Sequence, residues 1–210
     1  MAKKNGKGKE YDNDGKLLFE GEYLDGKRWK GKEKEYYDNG VLSFEGEYLN
    51  GEINGEGKEY DNDGKLLFEG EYLDGKRWKG KGKEYYDNIG KLLFEGEYLS
   101  GKRWKGKGKE YYDNGVLSFE GEYLNGKKNG KGKEYYNYYD QEILKFEGEY
   151  LNDKRNGKGK EYYDNGVLSF EGEYLNNKRN GKGKEYYYGG ELKFEGEYLN
   201  DKRNGKGKDY

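Results

Sequence analysis

Polar and apolar residues alternate one by one through a six-residue segment that returns eight times. In Phe94-Glu95-Gly96-Glu97-Tyr98-Leu99, the Phe, Gly and Tyr fall on one side of an extended chain, and the two Glu and Leu on the other. That period of two belongs to a half-buried strand. Copies begin at Phe19, Phe44, Phe68, Phe94, Phe119, Phe146, Phe170 and Phe194, the chain's 8 phenylalanines. A second alternating run, Gly106 to Tyr112 in this unit, sets Gly106, Gly108, Glu110 and Tyr112 against Lys107, Lys109 and Tyr111. The polar segment Ser100 to Lys105 reads as a loop between the two runs. Asp113-Asn114-Gly115 reads as a hairpin turn, because Asn-Gly tolerates positive φ. Helix is a poor alternative, since each interior Gly costs a helix about 1 kcal/mol relative to Ala.

The prediction is an all-β fold: an elongated, twisted, single-layer antiparallel β-meander of tandem hairpins, about 17 strands in all. Residues 1–210 read as one repeat array. A half repeat at 6–18 precedes eight repeats that start near 19, 44, 68, 94, 119, 146, 170 and 194. Such an array buries each unit's apolar face on its neighbours. Paired Glu facing paired Lys would stabilise one face, and Phe and Tyr rings lying over glycines the other. The run Tyr135-Tyr136-Asn137-Tyr138-Tyr139-Asp140-Gln141 reads as a longer turn.

Composition changes this picture little but narrows the chemistry. Charged residues make up 40% of the chain and almost cancel, at a formal −2. Charge so balanced argues against nucleic acid, which asks for a basic excess. The 26 tyrosines supply the core that few aliphatic residues could fill. Cys and His are absent, which removes thiolate sites and the commonest metal ligand and general base. The opening residues carry no apolar signal stretch, and no segment approaches the roughly 20 apolar residues of a membrane span. A soluble, cytoplasmic protein is the expectation.

The Phe-Glu-Gly-Glu-Tyr run followed by Asn-Gly-Lys-Lys-Asn-Gly-Lys-Gly, as in Asn125 to Gly132, resembles the MORN (membrane occupation and recognition nexus) repeat. Units with Glu-Tyr-Tyr-Asp-Asn-Gly, such as Glu110 to Gly115, resemble the variant form common in bacteria. The resemblance runs from Gly6 to Tyr210. It implies a β-hairpin scaffold or interaction module, sometimes one that touches lipid. Three departures bear on partners: the second aromatic is Tyr where Trp is common, Asn or Trp-Lys replaces the usual loop His, and the turns carry insertions.

Candidate chemistry is sparse. No unlike groups converge into a catalytic set, so no enzyme activity and no cofactor are expected. Asp12-Asn13-Asp14-Gly15 and Asp61-Asn62-Asp63-Gly64 fail the calcium-loop pattern, whose sixth and twelfth positions would be Leu17 and Tyr23 in the first copy. The Gly-Lys-Gly-Lys runs lack the Ser or Thr and the helix of a phosphate loop. Partner contact is the remaining function. Candidates are the sheet-face tyrosines Tyr23, Tyr48, Tyr72, Tyr98, Tyr123, Tyr150, Tyr174 and Tyr198, which are equally the expected core. The Arg-Trp pairs Arg28 and Trp29, Arg77 and Trp78, Arg103 and Trp104 join them, read as loop residues. Arg and Trp are typical of interaction hot spots, although each Trp could equally fold back over its own hairpin. A non-catalytic scaffold binding a protein or peptide ranks first. Binding to anionic lipid through the Lys-Arg-Trp segments ranks second, and a spacer or a homo-oligomer joined through the array ends follows.

Overall fold

A computed structural model describes residues 5–86, 90–138 and 141–210. Among them there is no helix. In chain order the strands are β1 (Gly6–Tyr11), β2 (Leu17–Leu24), β3 (Lys27–Tyr36), β4 (Leu42–Leu49), β5 (Glu52–Tyr60), β6 (Leu66–Leu73), β7 (Lys76–Tyr86), β8 (Lys91–Leu99) and β9 (Lys102–Tyr111). They continue as β10 (Leu117–Leu124), β11 (Lys127–Tyr138), β12 (Gln141–Leu151), β13 (Lys154–Tyr162), β14 (Leu168–Leu175), β15 (Lys178–Tyr186), β16 (Leu192–Leu199) and β17 (Lys202–Asp209). These 17 strands form a single-layer antiparallel meander in one open sheet. Two compact units can be distinguished. The first comprises residues 1–90 and 95–104, the second 91–94 and 105–210.

The two kinds of connection are the reverse of what the sequence implied. Each Phe strand ends in a two-residue turn with both residues at positive φ, such as Asp25-Gly26 at 51° and 83° or Asn125-Gly126 at 54° and 73°. This is the tight hairpin turn that matches strand twist. The segment Ser100 to Lys105 is therefore not a loop: only Ser100 and Gly101 turn, and β9 begins at Lys102. The Arg-Trp pairs consequently lie on strands. The Asp-Asn-Gly segments are the longer connections. Tyr112 N–H donates to Val116 C=O (2.9 Å), Gly115 N–H donates to Tyr112 C=O (2.7 Å), and only Gly115 adopts positive φ. Asp12 Oδ1 accepts from Asp14 N–H (3.0 Å) and Lys16 N–H (2.8 Å), so the calcium-like motif spends its first carboxylate on its own turn. Tyr135 to Tyr138 also departs from expectation. It extends β11 and pairs with Gln141 to Leu144 of β12, lengthening one hairpin; Tyr139 and Asp140 lie outside the described residues.

Alternation sorts the faces as expected. Glu20 pairs across strands with Lys9 and Lys32, and Glu171 with Lys160 and Lys184. Contacts such as Lys9 to Glu20 (3.0 Å) and Lys58 to Glu69 (3.0 Å) have about half of each side chain in water. Each contributes at most about 1 kcal/mol. The inner face carries the core. Six phenylalanines, Phe19, Phe68, Phe94, Phe119, Phe146 and Phe170, are fully buried. Each such burial stabilises by roughly 1.5–3 kcal/mol. Glycine makes room for them. A Cβ on Gly21 would lie 2.6 Å from Gly31 Cα and 2.8 Å from Phe19 Cζ, so strand and ring could not both keep their places.

Candidate interaction surface

A recurring set of side chains encloses phenylalanines of the inner face such as Phe19, Phe68, Phe146 and Phe170. Glycines lie beneath the ring. Its own tyrosine and the next repeat's meet it edge to face, as Tyr72 and Tyr98 meet Phe68 with centroids 5.5 Å away in both cases. A cation covers it: Arg28 stands 5.0 Å from the Phe19 centroid, Arg77 4.9 Å from Phe68, Arg155 4.0 Å from Phe146. Edge-to-face rings and cations over rings add about 0.5–1.5 kcal/mol apiece.

A glutamate from the Lys-Gly strand ties this set together. The Tyr72 hydroxyl donates to Glu59 at 2.5 Å, and Arg77 donates to the same carboxylate through Nε (3.0 Å) and Nη2. Tyr23 and Arg28 share Glu10 likewise, and Tyr150 and Arg155 share Glu134. Burial would raise the Glu59 and Glu134 carboxyls, but the hydrogen bonds from the Arg and Tyr outweigh it and hold both below the usual carboxylate range. Burial, reinforced by the Glu10 hydrogen bond, pushes the Tyr23 hydroxyl up to about 12.

Of the eight candidate tyrosines, Tyr23, Tyr72, Tyr98, Tyr123, Tyr150, Tyr174 and Tyr198 are buried and Tyr48 is half-buried. Arg28, Arg77 and Arg103 turn inward, Arg103 onto Glu84. The three tryptophans differ: Trp29, Trp78 and Trp104 are 39%, 39% and 37% exposed.

The strand register explains why. Glu22 pairs with Lys30 and Tyr23 with Arg28, leaving Trp29 unmatched between them. Trp78 is likewise the extra residue between Arg77 and Lys79. Each is a bulge, a device that re-aims side chains without ending a strand. The bulges accept hydrogen bonds from the next turn, Asn50 N–H to Trp29 C=O (2.8 Å) and Gly101 N–H to Trp78 C=O (3.0 Å). Leu49 and Leu99 immediately precede those turns and are exposed, as are Leu24 and Leu73. The turn-side rim of the first unit thus gathers exposed Trp and Leu among Lys27, Lys30, Lys76 and Lys79. These leucines were not among the candidates read from the sequence. Their signal was the sixth position of each motif, an apolar residue on the glutamate side.

Where Asn-Gly replaces Trp, the bulge is made differently. Gly130 takes φ of 99°, and Glu122 folds over it to accept Lys131 N–H at 3.0 Å. In the second unit the following turn also clamps down: Asn177 N–H donates to Arg155 C=O (2.9 Å), and Asn177 Oδ1 accepts Arg155 N–H (2.8 Å).

Among the described residues, no group of acidic side chains could hold a metal ion. The family model of the MORN repeat matches residues 119–137, 146–167, 170–191 and 194–208, and that of the MORN repeat variant matches 4–25, 29–50, 53–74 and 105–125. The chain belongs to the MORN repeat family. Its MORN repeats make it a repeat scaffold or interaction module, and proteins of this family are generally non-catalytic and commonly engage proteins or lipids. Among curated proteins no sequence matches the chain. A crystal structure of TcdB2-TccC3 without its hypervariable C-terminal region is similar at 14% identity and a TM-score of 0.31, covering 89% of this chain and 12% of that one. A crystal structure of TcdB2-TccC3-TEV is similar at 13% identity and a TM-score of 0.31, covering 92% and 12%. This MORN chain spans only 12% of either protein, and the likeness is too slight to bear on function. No helix among the described residues is long and apolar enough to cross a membrane.

Proposed function

We propose that this MORN protein is a non-catalytic scaffold that binds a protein partner along the turn-side rim of its first unit, with Trp29, Trp78 and Trp104 as anchors. One observation carries the reading. These residues are large, apolar and exposed, while the tyrosines and arginines proposed beside them are spent on the core. A bulged Trp flanked by an inward Arg on a rigid strand is pre-organised, which lowers the entropic cost of binding. The tyrosines support the rim by fixing the strands beneath it rather than by touching the partner.

The rim lysines favour a second reading, in which the same tryptophans enter the interface of an anionic membrane. Each basic residue near such a surface adds about 1 kcal/mol. One experiment separates the two readings: affinity capture from source cells beside sedimentation with phosphatidylserine vesicles, using wild type and the triple variant Trp29→Ala/Trp78→Ala/Trp104→Ala. The account expects a discrete partner held by wild type, lost by the variant, and no vesicle binding. Salt-sensitive vesicle binding lost in the variant would favour lipid. A partner retained by the folded variant would move the site elsewhere.

A further inference from the structure

The place just before the repeat phenylalanine is held in turn by Leu18, Ser43, Leu67, Leu93, Ser118, Lys145, Ser169 and Lys193. Ser169 is the one serine with lysine at this place in both the preceding and the following repeat. All three are the extra residue of a bulge. Phe170 pairs with Glu161 and Leu168 with Tyr162, which leaves Ser169 between them, and Lys145 and Lys193 are left over likewise. Such bulges re-aim side chains. Beside the short Ser169 lies a half-open cavity of about 290 Å³, lined also by Lys145, Arg155 and Arg179. It belongs to the second unit and does not depend on the tryptophan rim of the first.

The carboxylates in the lining are spent. Glu161 accepts from Arg155 Nη1 at 3.0 Å and from Arg179 Nη2, and Glu185 accepts from Lys193 Nζ at 2.8 Å. The unspent groups are all donors. Lys145 occupies the place of Lys193 one hairpin pair earlier, but among the described residues no carboxylate lies within ion-pair reach of it; it has the Tyr136 ring, 5.3 Å from Nζ. Among the described residues the Arg179 guanidinium donates through Nη2 alone, whereas Arg155 donates through Nε, Nη1 and Nη2. The Ser169 hydroxyl makes no hydrogen bond among the described residues. Two tyrosines of the lining have committed their hydroxyls elsewhere: Tyr136 donates to Tyr162 C=O at 3.2 Å and Tyr163 to Tyr186 C=O at 2.7 Å. They offer the cavity their rings.

We infer that this cavity takes the side chain of a phosphotyrosine in another protein. A phosphoryl group brings a charge of about −1.5 to −2 and three strong acceptor oxygens. Those match the Lys145 ammonium, the unspent donors of Arg179 and the Ser169 hydroxyl, and hydrogen bonds between ionised partners are the strong ones. Arginine-lined sites read phosphorylated motifs by this chemistry. The cavity is close to the roughly 300 Å³ at which small-molecule sites begin, more than a lone oxyanion fills. The rings of Tyr136 and Tyr163 are apolar walls suited to an aromatic ring that carries the phosphate. Because the cavity is half open, the partner's backbone stays outside it.

The test is a calorimetric titration of the 210-residue chain at low salt with the capped peptide Ala-phosphotyrosine-Ala, beside the same peptide carrying tyrosine or phosphoserine. The expected result is saturable binding of the phosphotyrosine peptide with Kd below about 1 mM, at least about tenfold tighter than the phosphoserine peptide, and none of the tyrosine peptide. Lys145→Leu should weaken it about tenfold or more by removing a charge, and Ser169→Leu as much by filling the space. Leu holds the same place before Phe19, Phe68 and Phe94, so both variants should fold, which an unchanged thermal midpoint checks. No saturation by about 1 mM, equal affinity for the phosphoserine peptide, or undiminished binding by both folded variants would overturn the proposal.

Discussion

Residues Lys34 to Gly51 and Lys109 to Gly126 are the same 18 amino acids in the same order, and they do not pack alike. In the later copy Val116, Leu117 and Tyr123 are buried; in the earlier one Val41, Leu42 and Tyr48 are half-buried. The cause lies outside the segment, on either side of it. Gly108 precedes the later copy, and a Cβ there would meet the Tyr123 ring at 2.6 Å, so the ring rests on the glycine. In the earlier copy Glu33 holds that place, its carboxylate on Arg28 at 2.5 Å, and Tyr48 cannot settle. After the later copy, Lys128 caps Phe119 at 3.9 Å, whereas the earlier copy is followed by Ile53 at the corresponding position. The lengthened β11–β12 hairpin adds a further neighbour, with Glu142 accepting Leu117 N–H at 3.3 Å. A repeat is as well packed as its neighbours allow, the nearest-neighbour behaviour of linear arrays.

The comparison can be broken by exchanging those neighbours. Gly108→Glu should have the largest effect, displacing Tyr123 and lowering stability by about 2–4 kcal/mol, read as a fall in the urea midpoint. An unchanged midpoint would mean that the ring does not depend on the glycine. The reverse exchange, Glu33→Gly, should stabilise by about 1 kcal/mol as Tyr48 settles. The size of this gain also depends on pH. Burial raises the Glu33 carboxyl above the ordinary 4.5 despite Arg28. A raised folded value means that this group's contribution is full below the ordinary value and lost as pH rises through the folded one. The gain from Glu33→Gly should therefore be larger at pH 7 than at pH 4, and the opposite order would contradict the burial argument. Ile53→Lys, which offers Phe44 a cation, should add the least, about 0.5–1 kcal/mol, visible as a small rise in the thermal midpoint.

Much of the fold was legible in the sequence because its signals are local and repeated. Strand alternation, the phenylalanine period and the Lys-Glu ladder each follow from spacing in a single unit. The connections were misread because Asn-Gly at Asn114-Gly115 is a strong hairpin signal, whereas Ser100-Gly101 is a weak one; the pairing partners of β9 and β10, not turn composition, settle which is tighter. The candidate surface was legible only in part. Trp29 stood out by type, but its exposure comes from a register shift created between two strands. The tyrosines looked like a binding strip and a core alike until the glutamates from preceding strands, such as Glu59 beneath Tyr72, closed them in.

The central claim is that the repeat tyrosines are core, with Tyr48 the one loosened by its neighbours. Tyrosine nitration mapped by mass spectrometry tests it most directly, since the peptides bearing Tyr48 and Tyr123 differ beyond their shared stretch. The account predicts nitration at Tyr48 and protection at Tyr23, Tyr72, Tyr98, Tyr123, Tyr150, Tyr174 and Tyr198. Equal modification of Tyr48 and Tyr123, or reaction across the whole row, would contradict it and make the inner face an open surface.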